Sequence, residues 1–425
     1  MKMRLWLTLS LCVSGITWLY ASEVLGPWSR YVGALHDGVK AQMGDLYPRW
    51  VGARELLLHK RNPYGPEVSQ QIQIAFYGHA IIQDYSSPGH KTVDEQRFAY
   101  PVYVVFLMAP TVYTDFATVH RAAPSALALL TGIGVLLSIS LLRWRIPWEQ
   151  KAAITLLTIS SPQIVQGLEH QQLAIVVGLL LIAGMWCAAR NYLAVAGIFL
   201  AWSTIKPQMA LLPLCFFLVW VIGDWVRRWR LFAGFLAMLF LLIGAGELIL
   251  PGWVGNFQAA AADYRKYFPT TSFLRMAVGD ALGEVLGGIV VVGLIVLAWR
   301  NRREAADSRK CIATFATFLM GTILAFPLFT PFNQVMLILP TMLLLHDWKT
   351  LPKFSRVVFV VTVTWPWITS LVLLLSPPRL NSPNQLPLLP AFLTPFFPLF
   401  LPLLLMTRRE DATLPQLGAA DLRLS

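Results

Sequence analysis

One carboxylate stands where it could do acid–base work. In Gly44-Asp45-Leu46-Tyr47-Pro48-Arg49-Trp50, Asp45 comes one turn before a short helix that carries Pro48 in its first turn. Arg61-Asn62-Pro63-Tyr64-Gly65 closes that helix with a strong stop. A carboxylate at a helix start is kept ionised. Within about 3 Å of a hydroxyl it can take the proton. Aspartate is equally a common helix N-cap, and the two roles are compatible. Asp37 and Glu55 are reserves, with Glu55 read more simply as a solvated helix residue.

Positive charge is placed just as selectively. Lys206 falls between two apolar runs, next to Pro207. An ammonium there is costly unless it reaches water or a partner. It is therefore either an anion ligand, for a phosphate, or a side chain snorkelling to the interface. Arg265, Lys266 and Arg275 flank Tyr264, Tyr267 and Ser272. They either clamp a phosphate or line an aqueous edge, and Arg49 and Arg54 offer the same pair of readings. No His-x-x-x-His or Asp-x-Asp pattern suggests a metal centre, although a divalent ion held with a phosphate is compatible with the residues. Cys12, Cys187, Cys215 and Cys311 have no metal-ligand spacing and imply no disulfide framework.

The elements that must hold these groups are membrane helices. Of 425 residues, 56% are hydrophobic and 13% charged, against about a quarter charged in soluble domains. Apolar runs recur from residue 5 to 406. The formal net charge of +12 is concentrated in short loops, as the orientation bias of membrane insertion produces. Attraction to anionic lipid is a secondary reading, and nucleic acid is not an expected partner. Met1-Lys2-Met3-Arg4 and the apolar run to Tyr20 are read as an uncleaved first span. The alternative is a signal peptide cut near Ala21-Ser22.

A polar segment, 22–98, follows, and its Val68–Ile82 stretch is expected to be a helix lying on the membrane. Further spans are expected at 122–142, 173–189, 231–250, 277–299, 312–329, 335–346, 356–375 and 389–406. Two short ones are expected between Arg190 and Arg227, with Lys206 at the outer tip. With the N-terminus inside, thirteen crossings would leave Arg408-Arg409 outside and twelve would not. The expected fold is an all-α polytopic membrane protein, a bundle of about 12 transmembrane helices (11–13) with a long first outer loop. One segment between 100 and 166 is expected to dip in without crossing. Residues 1–409 form one domain, with a second outer loop at 251–275, and 410–425 a cytoplasmic tail.

Several motifs in order resemble glycosyltransferase family 87. Asp45 with Tyr47, Ala53, Leu57 and Asn62-Pro63-Tyr64 resembles its first outer-loop motif. Tyr100-Pro101 with Ala109-Pro110 resembles its Tyr-Pro-Pro opening, here with Val102 in place of the second proline. Gly167 to Gln172 resembles its Gly-Gln segment, Ala196-Gly197 through Lys206-Pro207 its Gly…Lys-Pro hairpin, and Thr271 to Arg275 an outer-loop Gln-Ser-Leu segment. Some members carry a histidine where this chain has Asn333-Gln334; its role is then absent or passes to His170, His79 or His90.

The resemblance implies a C-type glycosyltransferase fold, related to polyprenol-phosphate-mannose-dependent mannosyltransferases. It implies a sugar donor linked to polyprenyl phosphate, in the cytoplasmic (inner) membrane, with the active site on its outer face. Transfer would invert the anomeric centre, with 22–98 as the catalytic loop and Asp45 as base. Mannose is the default sugar. The acceptor would be a glycolipid, a polysaccharide or a protein. Lys206, Arg265, Lys266 and Arg275 are then donor-phosphate candidates. Tyr47, Arg49, Tyr100, His170, Gln171, Asn333 and Gln334 are sugar or acceptor candidates, and the polar residues among them are alternatively an interfacial collar. The tryptophans are read as an interfacial belt. A transporter or flippase of a lipid-linked sugar is the rival reading, although no paired halves are seen and charges are nearly absent from the spans, apart from Asp115, Asp224 and Glu247 near their ends.

Overall fold

The computed structural model describes residues 2–27, 43–81, 96–267, 271–328 and 330–375. It is 81% helical, and no strand occurs among the described residues. Helix α1 (Lys2–Tyr20) runs on through a π-helical turn, Ala21–Leu25. The next helices are α2 (Leu46–His59), α3 (Pro66–Tyr77), the short α4 (Val104–Met108), α5 (Phe116–Leu141), α6 (Trp148–Ile159), α7 (Pro162–Glu169) and α8 (Ala174–Ala189). Then come α9 (Leu193–Ser203), α10 (Pro207–Gly223), α11 (Trp225–Ile249), α12 (Trp253–Tyr267), α13 (Phe273–Val278) and α14 (Asp280–Asn301). The last are α15 (Arg309–Ala325), a 3-10 segment Pro331–Leu337, α16 (Ile338–His346) and α17 (Lys353–Leu375).

Local chemistry explains where these helices start and stop. Pro66 and Pro207 open α3 and α10 at positions that need no N–H donor. Asp115 caps α5 by accepting from the Thr118 amide at 2.9 Å, and Ser308 caps α15 through the Cys311 amide at 3.1 Å. Gly78, with φ of 81°, ends α3 in the left-handed region.

Among the described residues, five helical stretches are long and apolar enough to cross a membrane: Trp6–Leu25, Phe116–Leu141, Trp225–Ile249, Asp280–Asn301 and Lys353–Leu375. A sixth is counted if α7 and α8, bent by 119°, form one broken span. Leu193–Ser203, Pro207–Gly223 and Pro331–His346 are apolar but shorter. This count stops short of the twelve crossings expected, and the span expected at 389–406 and the tail lie outside the described residues. Between 100 and 112, α4 has only 5 residues, or about 8 Å of helix, too little to cross about 30 Å of hydrocarbon. On α11 and α14, Phe240, Leu248, Val285, Ile289 and Val292 are more than half exposed. Such continuous apolar faces suit lipid rather than water.

Packing binds the helices into one bundle. The tightest crossing joins α9 to α11, where Gly197 meets the Leu231 carbonyl and the Phe235 amide, and Gly234 meets the Ala194 backbone. Glycine at both positions lets the two backbones touch. Helix α3, expected to lie on the membrane, instead buries Val68, Ile72 and Phe76 and packs on α2. Its apolar spacing is satisfied by protein. Glu55 also departs from expectation. It is 4% exposed, held by His59 at 3.2 Å, Arg61 at 3.4 Å and Gln71 Nε2 at 3.3 Å.

The basic loops meet at one end of the bundle. Arg143 pairs with Asp307 at 2.6 Å and Lys310 with Glu304 at 3.2 Å. Arg228 donates to the carbonyls of Trp220, Arg302, Arg303 and Glu304. Arg309 pairs with Asp347 at 2.6 Å, with His346 on the other carboxylate oxygen at 2.8 Å. Burial opposes ionisation of Asp347, but the hydrogen bonds from His346 and Arg309 outweigh it and hold the carboxyl below its usual range. Both Arg309 and Asp347 are nearly buried, so removing one strands the other. Asp347→Asn is expected to destabilise the protein by about 3–5 kcal/mol, read as a drop in Tm of the purified protein. An unchanged Tm would show the pair to be marginal.

Candidate active site

Away from these basic loops, the turn between α7 and α8, the Tyr100 segment and the Lys206 turn gather around Asp45 and Arg49. Gly44 sets the turn, with φ of +63°; a Cβ there would lie 3.2 Å from Gln171 Oε1 and 3.3 Å from the His170 carbonyl. The next amide, of Asp45, donates to that carbonyl at 2.8 Å. The start of α2 is thereby pinned to the turn between α7 and α8, which passes through the left-handed region at Gln171, φ 52°.

Asp45 occupies the N-cap position of α2, yet its carboxylate makes no capping hydrogen bond. Its Oδ2 accepts instead from Gln172 Nε2. Among the described residues, Oδ1 has no hydrogen-bond partner, and Asp45 is half-buried. The carboxylate is thus turned away from the helix that could have claimed it.

Arg49, one turn along α2, donates to the Asp45 carbonyl. Its guanidinium lies 4.4 Å over the Tyr100 ring and interacts with Tyr100, Asp45 and Tyr264. The Tyr100 carbonyl accepts from Tyr64 Oη at 2.6 Å. This fixes the Tyr100 segment on the loop after α2.

Lys206 sits in the turn between α9 and α10, where two short apolar helices were expected to meet. It is 6% exposed. Its Nζ donates to Asn333 Oδ1 at 3.0 Å and lies 5.1 Å from the Phe332 ring centre. Burial pushes the ammonium below its ordinary range; Tyr100 and Asp45 oppose that shift and Arg49 adds to it. Asn333 is in turn fixed by donating to the Leu328 carbonyl at 3.0 Å and to Thr330 Oγ1 at 2.5 Å. A buried cation with a neutral amide partner is poised to receive an anion.

Asp45, Arg49, Tyr100, His170, Gln171, Lys206 and Asn333 are therefore brought together, with Asn333 placed on Lys206. Gln334 is buried beside Asn333. The Tyr47 ring packs 4.7 Å from Phe116 and 5.7 Å from Phe76, and burial raises its phenol above the ordinary range. Arg275 pairs with Asp280 at 2.8 Å and Glu284 at 3.3 Å. The side chains of Arg265 and Lys266 lie outside the described residues, as do Asp37 and His90. His79 bonds to the neighbouring Ala80 carbonyl at 3.1 Å.

Two contributors escaped the sequence reading. His120, near the start of α5, lies 2.7 Å from Gln171 Nε2, which also donates to the His120 carbonyl at 3.0 Å. No motif or spacing in the sequence around it marks it. Helix α12, expected as loop, reaches Arg49 through Tyr264 and is tied to the segment before Tyr100 by Arg97–Asp263 at 3.2 Å.

The model of glycosyltransferase family 87 matches residues 98–331, just over half of the chain. Tyr100, His170 to Gln172 and Lys206 fall inside that match, while Asp45 and α2 precede it and Asn333 follows it. No curated protein and no solved structure matches the chain.

Proposed function

The chain belongs to glycosyltransferase family 87, and from that premise, a membrane glycosyltransferase, we propose a specific reaction. The enzyme transfers a sugar, mannose or a relative, from a polyprenyl-phosphate donor to an acceptor hydroxyl. The acceptor belongs to a glycolipid, a polysaccharide or a protein, and the reaction takes place on the outer face of the cytoplasmic membrane. The acceptor oxygen bonds to the anomeric carbon as the bond from that carbon to the lipid phosphate breaks. The hydroxyl proton passes to the Asp45 carboxylate, and the bonding pair leaves with the phosphate. Attack from the far side inverts the centre. Lys206 meets the charge that grows on the leaving phosphate, and Gln172 orients the base.

One observation carries this reading. A carboxylate that declines its capping role shares an electrostatic neighbourhood with a buried, anion-ready ammonium. A divalent cation is compatible with the phosphate, and no step here runs through one.

The test is incubation of the purified protein with a panel of polyprenyl-phosphate sugars, scoring released lipid phosphate. Cleavage of one or more donors is expected. Movement of a labelled donor across the bilayer without any cleavage would favour a flippase instead.

A further inference from the structure

A second polar group lies one peptide away from the residue that holds Asp45, and neither Asp45 nor Lys206 uses it. It forms where α7 meets the π-helical end of α1, with α17 packed against both. Tyr20 is 0% exposed, and its hydroxyl has no hydrogen-bond partner among the described residues. It interacts electrostatically with Glu169, which is half-buried. Glu169 has neither an ion pair nor a hydrogen bond among the described residues. Gln166, one turn back on the same face of α7, has a buried Oε1 that is likewise unpartnered. Trp367, on α17, has a buried and unpartnered Nε1.

Buried polar groups are nearly always paired, and each exception calls for an explanation. Three such exceptions, with the half-buried and unpaired Glu169 beside them, fall on three touching elements and are not scattered packing faults. The chemistry is mixed: Glu169 and Gln166 accept, Trp367 donates, and the Tyr20 hydroxyl does either. A ligand matching all four must both donate and accept at several points without carrying negative charge. An anion is disfavoured wherever Glu169 is ionised, and a metal ion would find only one carboxylate. Hydroxyl groups on a sugar ring meet the requirement.

We propose that Tyr20, Gln166, Glu169 and Trp367 form the acceptor subsite, which takes a neutral, hydroxyl-rich sugar. This rests on the transfer reading above. Glu169 adjoins His170, whose carbonyl holds the Asp45 amide, and neighbouring Cα atoms are about 3.8 Å apart. The proposed site thus lies one residue along the chain from the turn that holds Asp45.

The test uses the full chain in lipid nanodiscs. Methyl α-D-mannopyranoside, methyl β-D-glucopyranoside, octyl α-D-mannopyranoside and methyl β-D-glucuronide are titrated by saturation-transfer NMR. Donor cleavage to water is followed in parallel. At least one neutral glycoside is expected to bind, and the charged glucuronide to bind worse than the glucoside. The octyl arm separates a free sugar from a lipid-linked one. Tyr20→Phe and Glu169→Gln, both nearly isosteric, are expected to weaken binding tenfold or more. The Tm of empty Tyr20→Phe is expected to equal or exceed that of the unaltered chain, because the variant deletes an unmet buried hydroxyl.

Absence of binding by every glycoside, or unchanged binding in both variants, overturns the subsite and leaves these groups merely hydrated. If donor is cleaved in that case, the transfer reading stands alone. If glycosides bind through Tyr20 and Glu169 while no donor is cleaved, the sugar site survives and the transfer reading falls.

Discussion

Replacing Asp45 by asparagine is expected to slow sugar transfer by about 100- to 10,000-fold, the usual range for losing a positioned base. Abundance and Tm should stay as they were. The second half of that expectation separates catalysis from structure. A capping aspartate would cost about 1 kcal/mol when lost, but this carboxylate caps nothing. Asparagine keeps an oxygen for Gln172 and loses only basicity. Gln172→Ala should give a smaller loss, because it frees the carboxylate without removing it. A drop in Tm with transfer unaffected would return Asp45 to a structural role.

Replacing Lys206 by methionine is expected to reduce donor cleavage by about 100- to 1,000-fold, the scale of losing one preorganised group at a developing charge. Here two structural terms oppose each other. Removing a buried ammonium is often neutral or stabilising. Leaving Asn333 Oδ1 without its donor costs about 1–3 kcal/mol. Tm should therefore move little while KM for the donor rises and kcat falls. A lysine that merely snorkels would give unchanged kinetic constants with methionine in its place.

The membrane class was legible because composition and run length depend on the solvent the chain must meet. The Lys206 turn was legible too, since 36 apolar-rich residues between Arg190 and Arg227 suffice only for two short helices meeting at Lys206-Pro207. Asp45 could be singled out, but not the choice between cap and base. That choice depends on Gln172, which is distant in sequence and adjacent in space. His120 gave no signal, because a single histidine just before a span has no spacing to read. Helix α12 and the docking of α3 were missed for a related reason. Polar, mixed spacing looks like loop until a partner surface is known. Glu55 was read as solvated because the docking of α3, which covers it and brings Gln71 to its carboxylate, was not expected.

The bent junction of α7 and α8 unifies these results. Its 119° turn brings His170, Gln171 and Gln172 to Asp45, while the preceding helix carries Gln166 and Glu169 toward Tyr20. Base and proposed acceptor groups therefore share one backbone turn, and a substitution that straightens it should disturb both.

The most direct measurement is a density map of the full-length protein with an uncleaved polyprenyl-phosphate sugar bound. The account predicts the lipid phosphate at Lys206 and the anomeric carbon between it and the Asp45 carboxylate, with the open face of the sugar toward Asp45. A phosphate seated elsewhere, such as at Arg275, with Asp45 on the far side of the protein from the sugar, would contradict it.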